Sequence, residues 1–368
     1  MLRSLFIVFL TIFLLTGCVK EDCVTLTFAS WGSISEVQII KNLINNFEKE
    51  NSGVKVNFLH FPQNYFQKLH LLFASNTAPD VVFINNLYLP LYSSKLLNLS
   101  NEVNQNDFYE QAIDGMSYEN SLYAIPRDIS NLVFYVNLDL IQKSELELPD
   151  KNWRLEEVIN ISKQIRNDCV YTLSREDDLY WTMPYLRYFG GDLLSSVGQI
   201  LINSEKSQKA LSFYNNLSDK YKIVPNKSQI GSSTLAQMFL EGKIVFYLSG
   251  RWMYPKIKEK ANFKWTIINF PNGESPQPCD VSGWAINKDS KNKELAIKFV
   301  EYLSSESSIK YFMDTGLIVP ARISVAKNLE DNGHNERVFT DVISYSKKTN
   351  VNKSYRKLVD KYNKEIFK

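Results

Sequence analysis

Residues 24–60 read VTLTFASWGSISEVQIIKNLINNFEKENSGVKVNFLH, and this stretch decides the fold class. Its first seven residues alternate apolar and polar side chains, which predicts a β-strand. Residues 36–49 carry apolar side chains at the spacing of an amphipathic helix. Residues 54–59 alternate again and predict a second strand. The chain therefore opens with a strand, a helix and a strand.

The residues that follow continue this pattern. Residues 65–73 have helical periodicity, and residues 81–84 form the short apolar run that is typical of a buried parallel strand. Strand, helix, strand, helix and strand in this order predict an α/β protein with a doubly wound parallel sheet. A second α/β unit is predicted from helices over residues 206–217 and 234–242 and a buried strand over residues 243–248.

Two other segments carry more specific expectations. In residues 122–137, Pro126 is expected to end one strand before a second extended piece begins, because proline donates no backbone hydrogen bond. Residues 336–367 are polar with a sparse apolar stripe and are expected to form a helical region at the end of the chain.

The N-terminus has the pattern of an export signal. Arg3 precedes an apolar run over residues 5–15, which is shorter than the roughly 20 residues of a transmembrane helix. The run ends in Leu-Thr-Gly-Cys at residues 15–18, which resembles the lipobox of bacterial lipoproteins. The sequence therefore predicts a signal peptide over residues 1–17, a lipidated tether over residues 18–23 and a membrane anchor at Cys18, facing the periplasm or the cell exterior. An ordinary secretory signal with an incidental cysteine is the alternative.

The composition narrows the possible partners and cofactors. The 42 basic and 40 acidic residues give a net charge of +2, which does not favour nucleic acid as a partner. A chain of 368 residues is longer than a typical domain with a single hydrophobic core, which suggests two domains. Few histidines and no zinc-like cysteine spacing predict neither metal nor cofactor. A disulfide between Cys169 and Cys279 and buried free thiols are both left open.

Catalytic motifs are missing from the sequence. It has no GxSxG, HExxH or GxxxxGK[ST] pattern. Glu176, Asp177 and Asp178 are adjacent carboxylates, which indicate a solvated turn rather than the spaced pair of a glycosidase. The sequence therefore predicts a binding protein and not an enzyme.

Four segments of the sequence occur in a fixed order, and this order is a more specific sign of a protein family than any one segment alone. They are TFASWGS with KNLINNFEKENSGVKVNF, ASNTAPDVVFIN, LYAIPRDISNLVFYVNLDLI with NWRLEEVI, and MFLEGKIVFYLSGRW with DVSGWAINKDSKNKELAIKFVEYLSS and GLIVPAR. In this order the chain resembles the family 1 extracellular solute-binding proteins, which include the maltodextrin and other sugar receptors of ABC importers. The resemblance covers nearly the whole mature chain.

The resemblance implies a two-lobed periplasmic-binding-protein fold of type II, in which hinge closure traps a ligand in the cleft. Lobe 1 would comprise residues 24–127 and 282–316, and lobe 2 residues 128–281 and 317–368. Three hinge crossings would lie near residues 127–130, 279–282 and 316–320. The implied ligand is a small solute, expected to be a sugar or oligosaccharide. The implied partner is an ABC permease in the membrane, and the protein is expected to be a monomer.

A sugar site needs aromatic rings for the C–H faces of the ligand and polar groups for its hydroxyls. Open α/β sheets place such groups at strand ends and in the loops that follow. The aromatic candidates are Trp31, Tyr180, Trp181, Trp252 and Trp284, all taken to lie in irregular segments. The polar candidates are Glu36, Asn85, Asn86, Asp128, Asp280, Gly283 and Arg322. Trp252 and Trp284 rank first, because their segments match family positions that line the cleft. A structural role is the alternative for each candidate.

Other ligands and roles remain open at this point. Arg127, Arg251 and Arg322 lie near the predicted cleft and would suit an anionic solute such as a glycerol phosphodiester or a sugar phosphate. The same fold would also serve an adhesin or a signalling receptor. A carbohydrate-active enzyme is the least favoured alternative.

Overall fold

The computed structural model describes residues 23–150, 152–165 and 170–367. Its strands are β1 (Val24–Ser30), β2 (Val54–His60), β3 (Val81–Asn85), β4 (Ser117–Tyr118), β5 (Ser121–Leu122), β6 (Ala124–Ser130), β7 (Val133–Asn137), β8 (Tyr171–Leu173), β9 (Ile244–Ser249), β10 (Trp265–Asn269), β11 (Gln277–Ile286), β12 (Val319–Pro320) and β13 (Ser346–Lys348).

The α-helices span Ile34–Glu50, Tyr65–Ala74, Leu89–Tyr92, Glu110–Gly115, Leu138–Lys143, Glu157–Gln164, Leu179–Tyr188, Glu205–Asp219, Lys227–Ile230, Leu235–Leu240, Tyr254–Lys260, Lys293–Leu303, Glu306–Asp314, Ile323–Ala326, Val338–Asp341 and Tyr355–Ile366. Short 3₁₀ helices span Ser93–Lys95, Arg251–Met253 and Val342–Tyr345. In the part of the chain that the structure describes, no helix has the length and apolar character needed to cross a bilayer.

The larger sheet has the strand order β12-β6-β11-β3-β1-β2, and β13 pairs with β11. β1 runs parallel to β2 and β3, as the opening strand–helix–strand pattern predicts. The parallel prediction is wrong for the pairs of β11 with β3, β11 with β6 and β12 with β6, which are antiparallel. The apolar pattern of a strand indicates that it is buried but not in which direction it runs. A buried antiparallel strand such as β11 therefore has the same pattern as a buried parallel one.

The smaller sheet has the order β10-β7-β9-β8. Side chains alternate along β7, so that Val133 and Tyr135 join the core that covers the larger sheet, and Phe134 and Val136 join a second core. The second core is closed by the helices Leu179–Tyr188 and Glu205–Asp219. Each sheet is therefore covered by helices, as an α/β fold requires.

The segments predicted to cross between lobes lie side by side in the larger sheet. β12, β6 and β11 are neighbours, and we refer to them as the hinge strands. Asp128 of β6 lies opposite Pro320 of β12 on one side and Ser282 of β11 on the other. Adjacent crossings allow one bending motion to move both lobes, so this arrangement suits a hinge. The lobe boundaries themselves stay a prediction.

Pro126 does not end a strand, contrary to the sequence prediction. It lies inside β6, opposite Gly283, where the register with β11 shifts between Ser282 and Gly283. An irregular position of this kind tolerates a residue without a backbone N–H group. The strand therefore continues through the proline to Ser130.

The expected helical region at the C-terminus is also wrong in part. Residues 338–345 form short helical turns, β13 follows, and only Tyr355–Ile366 is a regular helix. β13 is extended because it adds a parallel strand to β11, with Gln277 opposite Ser346. The guanidinium of Arg187 also donates to the carbonyls of Lys347 and Lys348. Tertiary pairing overrides the helical tendency of this polar segment.

The close approach of β6 and β11 predicts the effect of Gly283→Ala. A Cβ atom at Gly283 would lie 2.3 Å from the carbonyl oxygen of Ile125, so the two strands must separate. We expect the free energy of unfolding to fall by about 1–3 kcal/mol, as for other overpacked sites. Urea denaturation measures this change, and Ser282→Ala in the same strand is the control. Equal unfolding midpoints for the two variants would contradict the prediction.

Candidate functional site

The turn from β1 into the helix Ile34–Glu50 presents Trp31. Its side chain is 45% exposed, and its ring centroid lies 6.0 Å from that of Phe83 in β3. The next residue, Gly32, has φ +146°, which side chains rarely allow. Ser33 and Glu36 then form a capping box that begins the helix. Local backbone chemistry therefore fixes the ring at the end of the strand.

Arg127 in the first hinge strand is buried and paired with two carboxylates. Its Nε and Nη2 atoms each lie 3.2 Å from an oxygen of Asp128, and Nη1 lies 3.5 Å from Oε1 of Glu36. The guanidinium also lies over the rings of Phe83 and Trp284, at 5.0 and 5.3 Å from their centroids. Burial raises the pKa of Asp128, and the guanidinium of Arg127 opposes that shift.

Asn86 and Asp280 join the end of β3 to the hinge strand β11. Nδ2 of Asn86 donates to Oδ1 of Asp280 at 2.9 Å, and Oδ1 of Asn86 accepts from the backbone N–H of Val281 at 3.0 Å. Both side chains are buried. Burial raises the pKa of Asp280, while hydrogen bonds from Asn86 and Thr349 oppose the shift. This contact fixes the strand that runs beside the predicted cleft.

Two tryptophans lie close together beside the smaller sheet. Asp178 caps the helix Leu179–Tyr188 by accepting from the N–H of Tyr180 at 2.7 Å, so Tyr180 and Trp181 lie in its first turn rather than in an irregular segment as predicted. Trp252 lies in the 3₁₀ turn after β9 and is 36% exposed. The ring centroids of Trp181 and Trp252 are 6.4 Å apart, at an interplanar angle of 66°. We call these two residues the tryptophan pair.

Tyr180 contacts one ring of the tryptophan pair and lies near carboxyl groups of the hinge strands. Its ring centroid lies 5.3 Å from that of Trp181. Burial raises the pKa of Tyr180 well above its ordinary value, and the nearby groups of Asp280, Tyr355 and Asp128 raise it further. Asp128 and Asp280 belong to neighbouring hinge strands. Tyr180 therefore lies near the carboxyl groups of two hinge strands, and Arg127 of one of these strands packs on Phe83.

The structure does not support Trp284 as an open platform. Its side chain is 0% exposed, with ring centroids 5.4 Å from Phe28 and 5.6 Å from Phe83. The sequence places Trp284 just after a Ser-Gly turn signal, but β11 continues through it to Ile286. A side chain from the middle of a central strand packs into the core, so Trp284 supports Arg127 and Phe83 instead.

Three polar candidates have partners inside the chain. Both the Nδ2 and the Oδ1 atoms of Asn86 are hydrogen-bonded, as described above. Gly283 allows the close approach of two strands. Nη1 of Arg322 lies 2.9 Å from Asp107, and its guanidinium lies over the ring of Phe108. Asn86 and Arg322 therefore have structural partners and Gly283 has a packing role, and a part in ligand binding stays a prediction for all three.

Asn85 remains a candidate because of an unused acceptor. It ends β3 opposite Ser282 of the hinge strand. Its Oδ1 atom is buried and has no hydrogen-bond partner among the described residues. A buried acceptor of this kind is costly unless a donor reaches it. A ligand hydroxyl would supply that donor.

Sequence reasoning missed the contribution of the C-terminal helix. Arg356 lies over the ring of Tyr88 at 4.9 Å from its centroid, and Tyr88 stacks on Phe66 at 3.6 Å. Tyr355 is buried near Asp280. The helix thereby contacts the loop that follows β3. No local pattern signals these contacts, because the helix is distant in sequence from the groups that it meets.

The described residues contain no cluster of three or more His, Cys, Asp or Glu side chains that would hold a metal ion. Cys279 is a buried free thiol, and burial raises its pKa to about 12. Cys18 and Cys169 lie outside the described residues, and so does the predicted signal peptide.

Two sheets, with three adjacent hinge strands within the larger one and exposed aromatic rings beside each, are typical of the class of two-lobed binding proteins. The sequence model for bacterial extracellular solute-binding proteins matches residues 42–337, and the chain belongs to that family. The predicted family and the predicted two-lobed periplasmic-binding-protein fold of type II are confirmed.

The maltodextrin-binding protein MdxE of Bacillus subtilis is 26% identical over 312 residues, which cover 80% of this chain and 73% of that protein. The galactooligosaccharide-binding protein of the same organism is 25% identical over 319 residues, with coverages of 81% and 73%. The ABC substrate-binding protein Lmo0181 from Listeria monocytogenes, solved in complex with cycloalternan, superposes with a TM-score of 0.83 at 23% identity. That superposition covers 93% of this chain and 92% of the other. The family and these relatives are binding proteins.

Asp280→Asn tests the electrostatic cost of the buried hinge carboxyl. Burial raises the pKa of Asp280 above its ordinary 3.8, so above this pH the unfolded chain loses a proton that the native protein retains. As pH rises, wild type therefore loses stability relative to the variant, by up to about 1.4 kcal/mol per pH unit until the native carboxyl ionises.

Urea denaturation of the ligand-free protein between about pH 3.5 and pH 7 measures this difference. Asp289→Asn, at an exposed carboxyl, is the control and should follow wild type. If wild type instead became more stable relative to the Asp280→Asn variant as pH rises, the native pKa of Asp280 would be lowered, contrary to the prediction.

Proposed function

We propose that this protein captures a neutral sugar, most simply an oligosaccharide, between its lobes and delivers it to an ABC permease. The observation that carries the proposal is the tryptophan pair beside the hinge strands. Two inclined indole rings, one of them 36% exposed, offer apolar surface to the C–H faces of sugar rings. Asn85 and Tyr180 would serve ligand hydroxyls nearby.

The charges near the hinge favour a neutral ligand over an anionic one. Each arginine that the sequence analysis named as a candidate for binding a phosphate lies within 4 Å of a carboxylate of the chain. The pairs are Arg127 with Asp128, Arg251 with Glu336 and Arg322 with Asp107. An anion would have to displace these carboxylates, and separating the two buried pairs, those of Arg127 and Arg251, is costly. A glycerol phosphodiester or a sugar phosphate is therefore the second choice.

The relatives support an oligosaccharide as the ligand class. The two proteins from Bacillus subtilis are named for maltodextrin and galactooligosaccharide. Each ligand is a neutral chain of sugar rings, which suits more than one aromatic surface. Trp31 lies beside the larger sheet and the tryptophan pair beside the smaller one, so rings contributed by both lobes would contact such a chain.

Binding and delivery follow from the hinge. In this proposal, lobe 1 comprises residues 24–127 and 282–316, and lobe 2 comprises residues 128–281 and 317–368. Sugar that binds one lobe favours the closed state because closure adds contacts from the other. The closed monomer then docks on the permease, and no chemical step on the sugar is involved.

The full chain, solubilised in detergent, tests the ligand class by its melting temperature. Ligand that binds only the native state stabilises it by about 2.7 kcal/mol at one hundred times the dissociation constant. We expect maltodextrins or galactooligosaccharides to raise the melting temperature and sugar phosphates to leave it unchanged. A shift with phosphates alone would favour the anionic alternative, and no shift with any sugar would overturn the proposal.

Removal of one ring of the tryptophan pair tests the site. Trp252→Ala should weaken sugar binding by at least about tenfold, since buried aromatic anchors dominate binding energy. Isothermal titration calorimetry measures the dissociation constant. Tyr345→Ala is the control, because this exposed ring lines a different cavity with Glu110 and Glu274. Equal affinities for wild type and Trp252→Ala would place the site elsewhere.

We further propose that Cys18 carries a lipid anchor. The apolar run before Leu-Thr-Gly-Cys supports this proposal. Cys18→Ser should lose incorporation of labelled palmitate and leave the membrane fraction. Cys23→Ser, five residues further along, is the matched control and should keep both. Undiminished labelling of Cys18→Ser would show that the signal is an ordinary secretory one.

A further inference from the structure

Gly250 occupies the position directly beneath the Trp252 indole. It lies between β9 and the 3₁₀ turn Arg251–Met253. A Cβ atom at Gly250 would lie 2.0 Å from Cζ3, 2.3 Å from Cη2 and 2.4 Å from Cε3 of Trp252. All three distances are far below van der Waals contact. The indole in this position therefore excludes every residue except glycine at position 250.

The backbone does not itself require glycine at this position. Gly250 has φ −99° and ψ −178°, an extended conformation that any residue adopts. The hydroxyl of Tyr135 donates to its carbonyl oxygen at 3.0 Å and holds the peptide in place. The demand for glycine comes from the ring above it and not from a turn.

We infer that Gly250 is a positioning residue that sets where the Trp252 indole lies in the ligand site. This inference rests on the proposed function, in which the tryptophan pair binds sugar. With glycine at position 250, the indole lies against the backbone and meets Trp181 at 6.4 Å between centroids. A methyl group at this position lifts the ring and changes the surface that the pair offers to a sugar.

Gly273 is a glycine that is needed only for packing, and it differs in this respect from Gly250. A Cβ atom there would lie 2.2 Å from Cα and 2.3 Å from the carbonyl oxygen of Tyr188, so main chain would have to move. At Gly250 the obstacle is the outer edge of a partly exposed side chain, which turns aside at lower cost. Gly250→Ala therefore changes the site and largely spares the fold, whereas Gly273→Ala affects the fold.

The first test needs no ligand. The full chain is labelled with 5-fluorotryptophan, and the ¹⁹F NMR resonance that disappears in Trp252→Phe is assigned to Trp252. Gly250→Ala should shift this resonance, and Tyr345→Ala, at an exposed ring outside the site, should leave it in place. An unshifted Trp252 resonance in Gly250→Ala overturns the inference, whether or not any sugar binds.

The second test is a double-mutant cycle on maltodextrin affinity. Gly250→Ala should weaken binding by at least about tenfold, as Trp252→Ala does, with a nearly unchanged melting temperature of the free protein. The double variant should bind no more weakly than Trp252→Ala alone, because Gly250 acts only through the ring. Additive losses, or wild-type affinity in Gly250→Ala, overturn the inference. A shifted ¹⁹F resonance without maltodextrin binding by wild type would instead count against the proposed ligand.

Discussion

The antiparallel pairing of β6 with β11 places the hinge residues of the candidate site. Asp128 lies opposite Ser282 in this pairing, and β12 extends the same ladder on the far side of β6. The pairing requires a glycine at position 283, where the backbone of the neighbouring strand comes too close for a side chain. Three adjacent strands of this kind suit a hinge, and one core cluster reaches from the larger sheet to the smaller one.

The hinge strands also bury charge, and this has a consequence for the ligand. Asp128 and Asp280 are both buried, and burial raises the pKa of each. Arg127 offsets part of this cost by pairing with Asp128 and Glu36. A buried pair loses several kcal/mol when one partner is removed, so the arrangement resists rearrangement. Because the guanidinium of Arg127 is already paired, it supports the proposal of a neutral ligand over an anionic one.

Local sequence chemistry accounts for the elements that carry the site and for part of the site itself. Periodicity predicts β1, β2 and the helix between them to within two residues, because each has one buried face. The exposed position of Trp252 follows from the end of a buried strand. Trp284 has the same Ser-Gly signal nearby, but the signal does not show that the strand continues through it. The pairing of β13 and the packing of Tyr355 depend on contacts distant in sequence, which no local pattern encodes.

The aromatic rings lie beside different sheets, and this bears on the order of binding in the proposed function. Trp181 projects from a helix that Asp178 caps, and Trp252 lies against the backbone of Gly250, so both are fixed to the smaller sheet. Trp31 lies in the turn after β1, beside the larger sheet. In the proposed function, two preorganised rings on one lobe would bind sugar at little entropic cost. Trp31, the ring proposed for the other lobe, would add its contact on hinge closure, so that its binding energy would couple capture to closure.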